Sequence, residues 1–169
     1  PTLLEGYGER NDDGLAAVIA HEVSHLWWGV LVGGDSNAYA CIPEGLATVS
    51  ALLYINDAFG PEAAREELNA WAIAPARPLL RDRDAIVNLP ASDDQDASTR
   101  YAALYGKGTL GFLAVREAIG AKAFDATLRQ ISSQYGWKEM TPADLRAAFE
   151  EVSGQDLRTL WAHWFNEAT

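Results

Sequence analysis

An almost continuously apolar stretch from Leu15 to Val32 is interrupted by one polar cluster, His21-Glu22-Val23-Ser24-His25. Acidic N-cap candidates precede the stretch and a glycine pair follows it, so we predict a buried helix over these residues. Two imidazoles and a carboxylate are costly to bury in an apolar helix unless they have partners. The cluster therefore indicates a site, with ordinary hydrogen-bond partners of the core as the alternative.

The two histidines are four residues apart, so they lie about 40° from one another around a helix. Both can direct a ring nitrogen at one point, which makes half of a tetrahedral zinc site. Glu22 is about 100° round the helix from His21, so it is better placed to act as a base than as a ligand. A carboxylate beside zinc can take the proton of an attacking water, as in the His-Glu-x-x-His arrangement of metallopeptidases.

Glu44 is the candidate for the third zinc ligand. It follows Pro43 at the start of the second predicted helix, and 18 residues separate it from His25. The intervening chain is long enough to reverse and bring the second helix against the first. The helix dipole also favours a Glu in a first turn, so capping is the alternative role. Cys41 offers a sulfur ligand, although a lone cysteine is more often a small buried hydrophobe, and His163 is expected at the surface.

Helical patterns continue after the second predicted helix, which should run from Pro43 to Phe59. A further helix is expected from Pro61 toward Ile73. The stretch from Ala74 to Ser98 contains three prolines and an acidic cluster, and it is long for a connection in a compact domain. We interpret it as an irregular loop at the rim of a cleft.

The C-terminal half has the same helical character. Apolar residues recur at helical spacing from Tyr101 to Ile119 and from Phe124 to Tyr135. Thr141 followed by Asp144 indicates the N-cap of a helix that ends at Gly154. The last helix has one face too aromatic to be left in water, formed by Leu157, Leu160, Trp161, Trp164 and Phe165.

These patterns predict a mainly α fold of about seven helices, with little or no strand except a short one between Thr2 and Tyr7. With 169 residues, 49% of them hydrophobic, the chain can bury the core of a single domain over residues 1–169. The single Cys41 cannot form an internal disulfide, so we expect packing alone to hold the fold.

Charge and targeting signals narrow the partners but not the compartment. The net charge of -11 disfavours nucleic acids and anionic membrane surfaces. The sequence contains neither a signal peptide nor an apolar run long enough to span a membrane. Because the chain begins with Pro1 and its only methionine is Met140, we expect it to be a piece of a longer protein. The localisation is therefore left open, including membrane association of the parent.

The motifs resemble those of the gluzincin metallopeptidases, and the gap of 18 residues before Glu44 matches the aminopeptidase N family. The similarity extends through Trp27-Trp28-Gly29, Tyr105-Gly106-Lys107-Gly108 and Thr141-Pro142 to the C-terminus. The resemblance implies the helical, thermolysin-like part of the catalytic domain, with one Zn²⁺ per chain. It would have His21, His25 and Glu44 as metal ligands and Glu22 as the general base.

By the same resemblance Tyr105 is the catalytic tyrosine, whose hydroxyl stabilises the oxyanion of the reaction. Tyr105 also lies on the core-facing side of its predicted helix, so a purely structural tyrosine is the alternative. Tyr101, one turn earlier, is its rival for the catalytic role.

The resemblance implies a zinc aminopeptidase acting on peptide or protein substrates. The family's Gly-x-Met-Glu-Asn segment, which grips the free α-amine, is not found in this sequence. A zinc endopeptidase and a non-catalytic peptide-binding module are therefore the alternatives. We expect the missing N-terminal portion of the parent to complete the cleft, and the isolated chain to be inactive and to form a homodimer through the exposed cleft face.

Overall fold

The first helix is shorter than its apolar stretch suggests. The structure, a computed structural model, describes residues 12–34, 40–81 and 96–166. Helix α1 (Asp12–Ser24) ends well before Val32, and the chain then makes a series of turns. Gly29 has a φ of +123°, which only glycine adopts readily, and its N–H donates to the carbonyl of Val32 at 2.9 Å. The prediction of one helix reaching Val32 is therefore wrong, because the backbone reverses at Gly29.

Helix α1 is also not buried on all sides. One face, with Ala17 and His21, packs on the second helix, whereas the large apolar side chains of Leu15, Ile19 and Val23 are exposed. The prediction of a buried helix thus holds for only one side of α1.

Helix α2 (Cys41–Phe59) is the centre of the fold and packs on α1 and on two later parts of the chain, residues 61–68 and 102–119. Gly60, with a φ of +93°, separates it from helix α3, which covers residues 61–81. Helix α3 is continuous from Pro61–Leu68 through a π-helical turn at Asn69–Ile73 to Ala74–Arg81.

The prediction of an irregular stretch from Ala74 onward is wrong for the first part of that stretch, which is helical to Arg81. The preceding π turn restarts the hydrogen-bond register, so Pro75 lies in the first turn of the new segment, where proline is tolerated. Residues 82–95 of that stretch lie outside the described residues.

Helix α4 covers residues 97–119 as Ala97–Tyr101, a π-helical turn at Ala102–Gly108, and Thr109–Ile119. Its N-cap is Asp96, whose carboxylate accepts from the N–H of Thr99 at 2.9 Å. Helix α5 (Ala121–Gln134) and helix α6 (Pro142–Ser153) follow, and helix α7 covers residues 158–166 as Arg158–Trp161 and Ala162–Asn166.

The start and end of α6 are those predicted. The carboxylate of Asp144 accepts from the N–H of Thr141 at 2.9 Å, and the Thr141 hydroxyl accepts from the N–H of Asp144 at 3.2 Å. These two bonds form a capping box. Gly154 closes the helix with a left-handed φ of +69°.

Two short strands, β1 (Val32–Gly33) and β2 (Lys138–Glu139), pair in parallel and tie the turn after α1 to the loop before α6. The predicted strand between Thr2 and Tyr7 lies outside the described residues. When adjoining α-helical and π-helical segments are counted as one helix, the described part of the chain has seven helices and these two strands. The predicted mainly α fold of about seven helices is confirmed.

The core lies between α2 and the C-terminal helices. Its largest side chains include Phe112, Phe124, Phe149 and Phe165, all fully buried. The aromatic face predicted for the last helix packs into this core, as expected from its composition. Within the described ranges, none of the helices is long and apolar enough to cross a membrane.

Candidate metal centre and active site

Helices α1 and α2 bring three metal-binding side chains to one point. His21 lies in the last turn of α1, His25 follows one turn later, and Glu44 lies in the first turn of α2. The two histidine Nε2 atoms are 3.1 Å apart. Glu44 Oε2 is 3.4 Å from His21 Nε2 and 3.5 Å from His25 Nε2. The structure therefore brings together all three residues that the sequence predicted as ligands.

The ring of His25 is oriented through its second nitrogen. Nδ1 lies 3.0 Å from the carbonyl oxygen of Trp28. A carbonyl oxygen can only accept, so Nδ1 of His25 carries the proton and donates it. The neutral ring therefore turns an unprotonated Nε2 toward His21 and Glu44. Trp28 is itself held, because its indole N–H donates to the hydroxyl of Ser50 at 3.1 Å.

His21 is oriented by a hydroxyl of α2. The Oγ1 of Thr48 donates to the carbonyl oxygen of Glu44 at 2.8 Å and lies 3.3 Å from Nδ1 of His21. Because the single hydroxyl proton is directed at Glu44, the Thr48 oxygen accepts from the Nδ1–H of His21. The Nε2 of His21 is therefore also unprotonated in the neutral ring.

The point between the three side chains is consequently surrounded by acceptors. Glu44 Oε2 is buried, and no donor among the described residues meets it in hydrogen-bond geometry. Two nitrogen lone pairs and a carboxylate oxygen this close together repel one another unless a proton or a metal cation lies between them.

The spacing of the three atoms fits zinc. In a tetrahedral site with bonds of about 2.0–2.1 Å, the ligand atoms lie about 3.3–3.4 Å from one another. The three separations among His21, His25 and Glu44 are 3.1, 3.4 and 3.5 Å. Two imidazoles and a carboxylate are also a donor set that zinc accepts in catalytic sites, where a fourth position stays open. The residues present thus fit a catalytic zinc ion.

Glu44 is favoured in its charged form. Burial raises the pKa of its carboxyl, but contacts with His21 and Tyr105, together with the electrostatic influence of the two histidines, outweigh burial and lower the pKa overall. A carboxylate rather than a neutral acid therefore faces the two imidazoles, as metal binding requires.

A cavity of about 210 Å³ opens beside His21. Glu22 lines it and is exposed to solvent, and it is not one of the three convergent residues. The indole of Trp71, on the π turn of α3, meets the His21 ring edge-on at 5.6 Å. The remaining walls are aromatic or small side chains: Val18, Ala70, Tyr101 and Tyr105. Glu22 thus faces an open space next to the convergent atoms.

Tyr105 lies closer to these atoms than Tyr101 does. Its ring centre is 5.9 Å from that of His21, and its hydroxyl interacts with the Glu44 carboxylate. Burial, the bond to Glu44 and nearby negative charge raise the pKa of Tyr105 well above its usual range. Tyr101 is 47% exposed and stacks on the outer side of Tyr105 at 4.5 Å.

The two other residues considered from the sequence lie away from this centre. Cys41 is buried in the hydrophobic core, and the burial of its thiol raises its pKa from 9.0 to about 12. It is not a member of the convergent group. His163 is exposed on α7, as predicted. Thr48, Trp71 and the Trp28 carbonyl were not predicted; only Thr48, one helical turn after Glu44, carried a signal in its spacing.

A family of peptidases matches most of the chain. Residues 5–164 match the Peptidase family M1 domain. Aminopeptidase M1-A of Oryza sativa subsp. japonica is 26% identical over 168 residues, which cover 91% of this chain and 18% of the rice protein. Human glutamyl aminopeptidase is 24% identical over 157 residues, which cover 91% of this chain and 16% of that protein.

The fold has solved relatives as well. The M1 zinc metallopeptidase of Deinococcus radiodurans superimposes with a TM-score of 0.70 at 22% identity, and a mutant of that enzyme bound to a Tyr-Ser-Ala substrate does so with 0.70 at 21%. In both cases the match covers 90% of this chain and 33% of the solved chain. The match to the family domain covers nearly the whole sequence, so this chain belongs to peptidase family M1.

Proposed function

We propose that this chain carries the catalytic centre of a zinc-dependent aminopeptidase, with one Zn²⁺ held by His21, His25 and Glu44. The observation that carries the proposal is the convergence of two imidazole nitrogens and the buried Oε2 of Glu44 at separations of 3.1–3.5 Å, and that oxygen has no hydrogen-bond partner among the described residues. A purely structural cluster of hydrogen-bonding residues would be expected to pair donors with acceptors.

Bound zinc supplies the acidity of the attacking water and polarises the scissile carbonyl. Glu22 is the base: it takes a proton from that water and returns it to the leaving amine. Its exposure supports this role, because a carboxylate that keeps its hydration and lines an open cavity can reach substrate. Because Glu22 follows His21 on α1, it would lie beside a metal ion held by that histidine.

Tyr105 donates its hydroxyl proton in a hydrogen bond to the carbonyl oxygen of the substrate as negative charge develops there. The raised pKa of this residue supports the assignment, since the group stays a neutral O–H donor at any physiological pH. Its interaction with Glu44 supports a position of the hydroxyl at the edge of the metal centre. Tyr101, stacked outside it, buttresses the ring.

Removal of N-terminal residues, rather than cleavage inside chains, is favoured by the relatives, which are named aminopeptidases. The chain spans less than a fifth of those proteins, so we propose that residues 1–169 are the helical part of a longer enzyme. The N-terminal portion of that enzyme would supply the group that holds the free α-amine of the substrate, since the sequence of this chain lacks the family's segment for it.

The exposed side of α1 is the surface that we propose for partners. Ile19 and Val23 are 54% and 47% exposed, and Ile19 is next to Glu22 on the helix surface. In the longer enzyme the N-terminal portion would cover this face, and in the isolated chain a second copy would. Sedimentation velocity of the isolated chain should then show a dimer that Ile19→Glu converts to monomer. A wild-type chain that sediments as a monomer would contradict dimerisation.

The catalytic proposal is tested in the enzyme that contains this chain. Wild type and Glu22→Gln are compared on a peptide with a free N-terminus and on the same peptide with an acetylated one, and zinc is measured in both proteins. We expect wild type to cleave only the free peptide and Glu22→Gln to keep its zinc but lose hydrolysis.

Three results would change the assignment. Cleavage of the acetylated peptide by wild type would indicate an endopeptidase. Zinc without any hydrolysis in wild type would favour a peptide-binding module. Full activity in Glu22→Gln would remove Glu22 from the role of base.

A further inference from the structure

We propose that Thr48 is a positioning residue of the metal centre, which fixes the tautomer and the ring orientation of His21. The inference rests on the proposed zinc site. Thr48 lies on α2 one turn after Glu44, is fully buried, and approaches the ring nitrogen of His21 that faces away from the convergent atoms.

The two bonds of the Thr48 hydroxyl have to be considered together. Its proton is directed to the carbonyl oxygen of Glu44 at 2.8 Å, so only the oxygen lone pairs are available to His21 at 3.3 Å. This order of donation leaves His21 with its proton on Nδ1 and a free lone pair on Nε2, the form that binds zinc. With a residue that has no hydroxyl at position 48, the ring of His21 could adopt either tautomer.

The same hydroxyl joins the two helices that supply the ligands. It bonds to the backbone of one ligand residue, Glu44 on α2, and to the side chain of another, His21 on α1. Because His21 is itself buried, its Nδ1 cannot take water as an easy substitute partner. When a group that holds the outer nitrogen of a metal-binding histidine is removed, metal affinity commonly falls about 10- to 100-fold.

The chain contains a matched residue without this contact. Thr127 on α5 is also fully buried, and its hydroxyl donates to the carbonyl of Ala123 at 2.9 Å, four residues earlier. Its only described hydrogen bond is that one. Thr127→Val therefore removes a comparable hydrogen bond from a side chain to the helix backbone. It also replaces a buried hydroxyl by a methyl group, as Thr48→Val does, but it leaves the histidines untouched.

The test is zinc affinity, measured by competition with a chromophoric chelator on wild type, Thr48→Val, Thr48→Ser and Thr127→Val. Thr48→Ala is measured in parallel, because it removes the hydroxyl without a new methyl group. Helix content and urea midpoints establish that each variant is folded. We expect the Val and Ala variants at Thr48 to bind zinc about 10- to 100-fold more weakly. Thr48→Ser and Thr127→Val should bind it like wild type.

Two outcomes overturn the inference while the zinc site stands: unchanged zinc affinity in the folded Val and Ala variants at Thr48, or an equal loss in Thr127→Val. A wild-type protein that binds no zinc would instead overturn the proposed function, and the role of Thr48 with it. The serine variant separates a hydrogen-bonding role of Thr48 from a packing role, since Thr48→Ser keeps the hydroxyl and removes only the methyl group.

Discussion

Gly45, directly after Glu44, packs against an aromatic ring, which makes Gly45→Ala a sensitive perturbation of the metal centre. A Cβ at this position would lie 2.7 Å from Cε2 and 2.9 Å from Cδ2 of Phe112. Phe112 is fully buried, and its ring centre is 4.9 Å from that of Phe165, so the ring has little room to move. The first turn of α2, which carries Glu44, would therefore have to shift by several tenths of an ångström.

Two effects on the free energy of unfolding oppose each other in this variant. Replacing Gly by Ala inside a helix contributes about 1 kcal/mol of stability. Overpacking of a rigid core costs about 1–3 kcal/mol. We therefore expect a net loss of up to about 2 kcal/mol. Because Glu44 moves with the backbone, we also expect zinc to bind about tenfold more weakly, the lower end of the effect of disturbing a metal ligand's surroundings.

Gly111→Ala is the control for this prediction. A Cβ at Gly111 would lie 2.6 Å from Cζ of Phe165, an equally severe overlap between α4 and α7 that involves none of the three proposed ligands. Urea denaturation and zinc competition on both variants provide the comparison. Both should lose stability, but only Gly45→Ala should lose zinc affinity. Equal zinc affinity in the two variants would refute the coupling between the Gly45 contact and Glu44.

Three further experiments, two of them on variants, test other parts of the structure. Tyr105→Phe in the complete enzyme should keep its zinc and lower turnover about 100- to 1000-fold, and unchanged turnover would assign the oxyanion role to another residue. Thr141→Ala removes the capping box of α6 and should lower the free energy of unfolding in urea by about 1 kcal/mol, so an unchanged midpoint would contradict the cap. The Cys41 thiol, buried and with a pKa raised to about 12, should react with a disulfide reagent at pH 8 only as fast as the protein unfolds; rapid labelling of native protein would show that it is accessible.

Local chemistry explains which helix boundaries could be predicted. Gly60, Gly120 and Gly154 end their helices with positive φ angles, and Thr141 begins α6 through its own side chain. Such signals act over a few residues and are visible in the sequence. Near the end of α1 the only such signal is weak, namely Gly29 within an apolar run. The apolar residues around it therefore indicated a helix that continues, whereas the backbone ends the helix earlier.

The metal centre was predictable to the extent that it depends on spacing. His21 and His25 share one side of a helical turn whatever surrounds them, and the gap before Glu44 allows a return to that point. The orientation of the rings depends instead on how α1 packs on α2, which places Thr48 behind His21. The π turn at Asn69–Ile73 likewise shifts the register of α3 and brings Trp71 to His21, and no local sequence signal marks it.

The most direct test of the zinc site uses two of the three histidines of the chain. Zinc content per chain is measured by elemental analysis after dialysis for wild type, His21→Ala and His163→Ala. His163 is exposed on α7, so its variant controls for adventitious binding to surface imidazole. We predict one equivalent of zinc in wild type and in His163→Ala and none in His21→Ala. Absence of zinc from wild type, or its retention in His21→Ala, would contradict the proposed metal centre.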